Sequence, residues 1–221
     1  WVGRHLGDKL TMKIWNQSSR DKNTGIDDFL SSEDIVLDQE LFLYDIEASM
    51  AHAHELENIN ILTKSETKKV IVSLKKLAKL FLAKKFKLTS KYEDCHSAIE
   101  DYLTKELGSV GKKVHTGRSR NDQVMVAMRL YTRAKLDEIQ SMNLKIAQSF
   151  FDKAEKHSSD PMPGYTHLQR AMPSTWGLWF GAFAESFLDN ADLLSNTQTW
   201  MNINPLGSAA GYGVNLPIKR D

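Results

Sequence analysis

Apolar residues recur at helical spacing along the first third of the chain. Four of them fall on one side of a helix that the pattern predicts over 33–56: Phe42, Ile46, Met50 and Ala53. Thr63 and Glu66 then have the spacing of a capping box, in which a hydroxyl and a carboxylate satisfy free backbone amides reciprocally. The helix that they open carries apolar residues at intervals of four, three and four: Val70, Leu74, Leu77 and Phe81.

Two long helical patterns dominate the second half of the chain. A shorter helix precedes them, with Ile99, Leu103 and Leu107 on one face and a stop near Gly108. The first long pattern runs from about 121 to 156, a loop over 158–173 interrupts it, and a second long helix follows over 174–199. That second helix is rich in large apolar side chains: Trp176, Trp179, Phe180, Phe183, Phe187 and Leu188. So much aromatic surface must meet a partner helix within the chain or in another subunit.

These patterns predict an all-α protein: a small N-terminal helical domain followed by two long helices. We expect the boundary near Lys112, which gives domains over 12–112 and 113–221. Residues 1–11 match no usable pattern and are interpreted as a leader, a tag or a misassigned start. No internal repeat or strand-rich segment stands out.

Composition narrows the class of protein. A net charge of +1 argues against nucleic acid as the main partner, because no strong overall field exists. The single cysteine, Cys95, permits no intrachain disulfide and fits a reducing, cytoplasmic compartment. His96 follows it without a second pair of ligands at zinc spacing, and no apolar stretch reaches membrane-spanning length.

The helix opened by Thr63 also carries many lysines away from its apolar side: Lys68, Lys69, Lys75, Lys76, Lys79, Lys84 and Lys85. A membrane-surface helix or a nucleic-acid arm is one interpretation. A solvated face on a helix packed against the core is the interpretation we favour.

Three polar segments are candidates for chemistry. Residues 163–169 read Pro-Gly-Tyr-Thr-His-Leu-Gln and place His167 between a hydroxyl and an amide. An imidazole with an ordinary pKa of about 6.5 suits proton delivery near neutrality. A solvated surface histidine is the alternative.

The second segment, residues 116–123, reads Thr-Gly-Arg-Ser-Arg-Asn-Asp-Gln. Arginine offers a planar fork that matches a carboxylate, and asparagine adds a donor and an acceptor. A charged loop leading into a helix, with Asp122 near the helix start, explains the same residues without a ligand.

The third segment, residues 204–213, reads Asn-Pro-Leu-Gly-Ser-Ala-Ala-Gly-Tyr-Gly and permits tight turns and close backbone approach. It lacks the pattern of a phosphate-binding P-loop. A flexible connection between helices is the alternative.

Together the three segments, with Asp-Cys-His-Ser-Ala-Ile-Glu at 94–100, resemble the argininosuccinate lyase family, a branch of the aspartase/fumarase superfamily. The resemblance runs from about Lys13 to Asp221. It implies a reversible β-elimination that splits argininosuccinate into arginine and fumarate, without a metal or an organic cofactor. It also implies that the two long helices are the start of the long-helix bundle by which the family forms homotetramers.

The same resemblance implies roles for particular residues. His167 would be the general acid for the departing guanidino nitrogen, and Thr166 would hold a substrate carboxylate. The succinyl end would be bound by Arg120 and Asn121, with two close supporters: Ser119 and Gln169. His96 is implied as a nearby polar residue, with a histidine satisfied locally at a helix start as the alternative.

Asp38 is implied to contact the arginine end of the substrate. The family places a serine four residues before that aspartate, where this chain has Asp34, with Ser31 and Ser32 slightly earlier. Either Ser32 or Asp34 is therefore a candidate for that position.

The family's downstream Gly-Ser-Ser-x-Met-Pro-x-Lys-x-Asn loop, whose serine is the base, does not occur in these 221 residues. We therefore expect an amino-terminal portion that is inactive alone. In the family each site combines segments from different subunits, so Arg120 and His167 of one chain would serve different sites. Two alternatives stay open: another fumarate-releasing lyase of the superfamily, and a non-catalytic, crystallin-like structural protein.

Overall fold

The computed structural model describes residues 34–89, 91–206, 209 and 211–219. These residues form seven helices and one small antiparallel sheet: α1 (Asp34–Leu37), α2 (Phe42–Asn58), α3 (Lys64–Leu82), α4 (Cys95–Leu107), α5 (Ser109–Lys113), α6 (Arg120–Lys156), β1 (Pro161–Thr166), β2 (Gln169–Thr175) and α7 (Trp176–Met201). The prediction of a mostly helical fold is confirmed. Among the described residues, no helix has the combined length and apolar character that crossing a bilayer requires.

The first predicted helix is broken, so the prediction of one continuous helix over 33–56 is wrong. A turn separates α1 from α2, with the backbone amide of Leu41 donating to the carbonyl of Asp38 at 3.1 Å. The turn buries Ile35 and Leu41 beside Phe42, while Val36 and Leu37 stay exposed. It also leaves the Asp38 carboxylate free to accept a hydrogen bond from the start of α4.

The predicted capping box at the start of α3 is confirmed. Thr63 Oγ1 accepts from the amide of Glu66 at 3.2 Å, and Glu66 Oε2 accepts from the amide of Thr63 at 2.8 Å. A second box, which sequence reasoning missed, opens α4, where Asp94 and Ser97 satisfy each other's amides at 2.6 and 3.1 Å. The predicted end of α4 is confirmed at Gly108, which has a φ of 61°.

The described residues divide into two compact units, the first up to Tyr131 together with those from Asn204 onwards, the second Thr132–Ile203. The first unit has a well-filled core of side chains at most 2% exposed: Phe42, Ile46, Leu56, Val70, Leu74, Leu77, Ile99 and Leu103. Burial of each large apolar side chain stabilises the fold by about 1.5–3 kcal/mol. The division falls inside α6, so the boundary expected near Lys112 stays a prediction.

In the second unit, α6 and α7 pack side by side through aromatic rings. Phe150 lies 5.3 Å from Phe183 and 5.8 Å from Phe187, measured between ring centroids. Two side-chain amides of α6 reinforce the contact, because Asn143 donates to the Phe187 carbonyl and Gln140 donates to that of Ala191. Within the chain, α6 therefore provides part of the partner surface that the aromatic residues of α7 require.

The segment between these helices is a β-hairpin, where the sequence predicted only a loop. Pro161 pairs with Thr175, Pro163 with Pro173, and Thr166 with Gln169. Proline lacks an amide donor and is tolerated in strands at an edge, and both strands of a two-stranded ribbon are edges. The prolines that favour a loop therefore also fit this ribbon.

Candidate active-site residues in two units

The hairpin presents His167 at its tip. Thr166 and Gln169 are the last paired residues, so His167 and Leu168 form a two-residue turn. His167 has a φ of 54°, as primed hairpin turns require at their first position. This conformation costs a non-glycine residue about 1 kcal/mol or more, and such strain concentrates at functional sites. The structure therefore brings together Thr166, His167 and Gln169, all of them exposed.

The base of the hairpin is held by backbone hydrogen bonds between the start of α7 and the residues that follow α6. The amide of Trp176 donates to the carbonyl of Asp160 at 3.0 Å, and that of Gly177 donates to the carbonyl of His157 at 2.9 Å. Gly164 lies at the irregularity between Pro163 and Tyr165, where a Cβ would be 2.6 Å from the Met172 carbonyl oxygen. A side chain at position 164 would therefore disturb the ribbon that carries the imidazole.

The second candidate segment forms the first turn of α6. Ser119 precedes the helix and forms a reciprocal cap with Asp122, since the Ser119 amide donates to Asp122 Oδ2 at 2.7 Å and the Asp122 amide donates to Ser119 Oγ at 3.3 Å. Sequence reasoning placed Asp122 near a helix start, and the structure does so. The cap fixes the backbone from which Arg120 and the exposed Asn121 project.

The guanidinium of Arg120 contacts three side chains. Its Nη1 donates to Glu100 Oε1 at 3.1 Å and to Gln123 Oε1 at 3.0 Å, and its Nε lies 3.3 Å from Asp94 Oδ2. About one fifth of the side chain remains exposed. Glu100 was not among the site residues predicted from sequence, because its contact with Arg120 exists only once α4 lies against α6. Gln123, three residues after Arg120 on the same helix, was not singled out either.

Arg118 differs from Arg120 in its surroundings, although the two are equivalent in the sequence pattern. It is 7% exposed, and its Nη2 donates to Ser49 Oγ on α2 at 3.2 Å. Burial lowers the pKa of Arg118, with Asp45 and Glu100 opposing that effect. Arg118 therefore ties the segment before α6 to α2.

Asp38 lies in the turn between α1 and α2, where its Oδ2 accepts from the amide of Cys95 at 2.8 Å. Burial raises the pKa of Asp38, although this hydrogen bond acts in the opposite direction. The family serine that precedes this aspartate had two candidates in the sequence, Asp34 and Ser32. Asp34 begins α1, whereas Ser31 and Ser32 lie outside the described residues.

His96 is buried in the first unit rather than displayed on its surface. Its Nδ1 lies 2.7 Å from Asp45 Oδ2, and both side chains are at most 1% exposed. Burial alone would lower the pKa of His96, but the charge and hydrogen bond of Asp45 raise it overall. This contact gives His96 a structural partner, and its contact with substrate stays a prediction.

Asp45, Cys95 and His96 place ligand atoms within 4.8 Å of one another. A metal ion there would have to displace the hydrogen bond between Asp45 and His96. It would also have to remove the proton of a thiol whose pKa burial raises. The three residues are therefore best described as a buried polar contact.

The third candidate segment is described in part. Asn204 Oδ1 accepts from the amide of Leu206 at 3.0 Å, and Ala209 and Tyr212 have φ values of 45° and 63°. Gly207, Ser208 and Ala210 lie outside the described residues. Turns at this segment agree with its glycine-rich composition.

A family model described as "Lyase" matches residues 11–221. The chain belongs to this lyase family.

The resemblance seen in the sequence is confirmed by curated relatives named argininosuccinate lyase. That of Xanthomonas euvesicatoria pv. vesicatoria is 46% identical over 211 residues, which cover 96% of this chain and 49% of the relative. That of Xylella fastidiosa is 46% identical over 207 residues, with 94% and 46% covered. The chain spans about half the length of these relatives.

Solved structures support the same fold. An EDDS lyase variant with bound fumarate is 28% identical, with a TM-score of 0.73 over 82% of this chain and 35% of that one. A fumarate lyase (delta crystallin) from Brucella melitensis is 20% identical, with a TM-score of 0.69 over 80% and 43% of the two chains. The second likeness concerns the fold alone.

Proposed function

We propose that the protein containing this chain catalyses the reversible β-elimination of argininosuccinate to arginine and fumarate. The observation that carries the proposal is the 46% identity, over almost the whole chain, to relatives named argininosuccinate lyase. The proposal concerns the whole protein, because the chain matches about half of those relatives.

In this proposal His167 is the general acid that protonates the departing guanidino nitrogen. Its strained, exposed position at the tip of the hairpin supports the role, because the imidazole projects from a fixed backbone. Thr166 and Gln169 flank it as the paired residues below the turn; Thr166 would hold a substrate carboxylate, with Gln169 as a close supporter.

Removing a proton beside a carboxylate gives a dianionic intermediate, which needs fixed donors and positive charge. We assign this task to Arg120 and Asn121 at the start of α6, with Ser119 supporting them through its cap. Asp38 would face the arginine end of the substrate, and His96 would act close by. As the family resemblance implies, we propose that Arg120 and His167 of one chain serve different sites, each completed by other copies of the chain.

Self-association into a homotetramer is part of the proposal. Large apolar side chains of α7 remain exposed after it packs on α6: Trp176 at 43%, Trp179 at 44%, Leu188 at 50% and Trp200 at 70%. Patches of this kind mark protein interfaces. Light scattering of the concentrated protein tests this, and a monomeric mass would count against it.

We further propose that the 221 residues alone do not turn over argininosuccinate, because the serine-bearing loop implied by the family is not among them. We propose the cytoplasm as the compartment, which the free, buried thiol of Cys95 supports.

The experiment that tests the function measures fumarate release by the full-length protein from argininosuccinate and, separately, from adenylosuccinate. Turnover of argininosuccinate alone supports the proposal. Release of fumarate only from another succinyl compound favours a second candidate, a different lyase of the superfamily, which the likeness to the fumarate-bound EDDS lyase variant makes worth testing. Turnover of neither substrate overturns the proposal.

A further inference from the structure

Glu100 is a partly buried carboxylate that has no role in the reaction proposed above. It lies on α4, and its Oε1 contacts two cationic or potentially cationic groups. Arg120 Nη1 donates to it at 3.1 Å, and His115 Nδ1 lies 2.9 Å from it. One carboxylate oxygen therefore links α4 both to the turn before α6 and to the first residue of that helix.

We infer that Glu100 is a positioning residue that fixes the guanidinium of Arg120 for a carboxylate of the substrate. The inference rests on the proposed function, in which Arg120 binds the succinyl end. Arginine has about 2 kcal/mol of side-chain conformational entropy to lose on binding, and a guanidinium that is already held loses less of it. Glu100 thus reduces the cost of ordering Arg120 when the substrate binds.

The other contacts of Arg120 complete this arrangement. Gln123 Oε1 accepts from the same Nη1 at 3.0 Å, and Asp94 Oδ2 lies 3.3 Å from Nε. The contacts engage Nη1 and Nε, and in our proposal Nη2 receives the substrate carboxylate. The Arg120 side chain is itself 20% exposed, which leaves part of it within reach of a ligand.

The charge of Glu100 is maintained in this environment. Burial alone would raise its pKa, but the contact with His115 and the charges of Arg120 and Arg118 lower the pKa overall. The carboxylate is therefore ionised at neutral pH, and its hydrogen bond to Arg120 is charge-assisted, which makes it stronger than a neutral one.

The test uses steady-state kinetics of the full-length protein carrying Glu100→Gln. We expect kcat/KM to fall about tenfold, mainly through a higher KM, because one charge-assisted contact that orders the binding group is lost. Combining Glu100→Gln with Arg120→Lys should then add less than a twofold further loss to that of Arg120→Lys alone. A tenfold loss in that background too would show that Glu100 acts independently of Arg120 and overturn the inference.

A matched control is available on the same helix. Glu106 forms an ion pair with Lys76 at 2.9 Å, and its side chain is 39% exposed against 26% for Glu100. Glu106→Gln should leave kcat/KM within twofold of wild type. Should Glu100→Gln fail to fold, Gln123→Met provides the second variant, because it removes the other acceptor of Nη1 at similar volume. It should raise KM severalfold, and an unchanged KM would overturn the inference.

The same measurements separate failure of the inference from failure of the proposed function. Turnover of argininosuccinate by wild type reports on the function, whereas the ratio of variant to wild type reports on Glu100. Should wild type act on another succinyl compound, the ratio is measured with that compound. Should it act on none, calorimetry of fumarate binding replaces kinetics, and equal affinity of wild type and Glu100→Gln would overturn the inference.

Discussion

His96 Nδ1 and Asp45 Oδ2 lie 2.7 Å apart in the interior of the first unit, and neither side chain is more than 1% exposed. Removing one member of a buried pair leaves the other without its partner, so Asp45→Ala should lower the free energy of unfolding by about 3–5 kcal/mol. Denaturant unfolding measures this change. The double variant Asp45→Ala/His96→Ala should lose less than the sum of the two single variants, and strict additivity would contradict the coupling.

The same pair predicts a dependence on pH. Because the pKa of His96 is raised in the folded protein, its contribution to stability is complete below the ordinary histidine pKa and is lost as pH rises through the native pKa. The cost of Asp45→Ala should therefore be larger at pH 6 than at pH 9. An equal cost at both values would show that Asp45 does not raise the pKa of His96.

His52 should produce the opposite dependence on pH. Burial, assisted by the charge of Arg118, lowers its pKa to about 4, and its Nε2 lies 2.9 Å from the carbonyl oxygen of Thr116. The unfolded chain then binds a proton more readily than the folded protein, so stability falls as pH decreases from about 6.5 to 4, by on the order of 3 kcal/mol. His52→Gln retains a donor for Thr116 and should remove that part of the slope in unfolding measurements.

Gly177 at the start of α7 should not tolerate a side chain. A Cβ there would lie 2.5 Å from Ser158 Cα and 2.7 Å from the carbonyl oxygen of Ala154, and backbone atoms cannot easily move away. We expect Gly177→Ala to destabilise the protein by about 1–3 kcal/mol. Thermal unfolding measures the change.

Gly181 provides the control for this prediction within the same helix. The nearest atom to a Cβ at Gly181 is Ala154 Cβ at 4.0 Å, an ordinary contact. Gly181→Ala should therefore stabilise the protein by about 0.5–1 kcal/mol, because alanine favours a helix over glycine. Equal effects of the two substitutions would mean that the helices are not packed as closely as the structure shows.

The imidazole of His167 should be needed for activity but not for stability. Asparagine tolerates the positive φ of the turn, so His167→Asn should leave the melting temperature unchanged while lowering kcat of the full-length protein at least about 100-fold. Leu168→Ala changes the other turn residue, which is 93% exposed, and should leave kcat within about twofold of wild type. A kcat that survives His167→Asn would remove the imidazole from the proposed mechanism.

The sequence by itself determined the positions of most helices and the family. Thr63 and Gly108 mark helix ends through chemistry that depends on a few neighbouring residues, so they were found without the structure. The apolar spacing of α3 and the aromatic residues of α7 likewise define their packed faces. The motifs around Arg120 and His167 were recognisable because their residue types and order are specific.

Tertiary structure decided the features that depend on distant partners. The break at Asp38 accompanies burial of Ile35 and Leu41, and the hairpin depends on a register that pairs Thr166 with Gln169. Arg118 and Arg120 have the same side chain, and only the approach of α2 and α4 buries the first against Ser49 and gives the second the carboxylate of Glu100. Local spacing cannot encode such contacts. The same type of residue can lie in a solvated loop or in a binding site, and the elements that pack against it decide which.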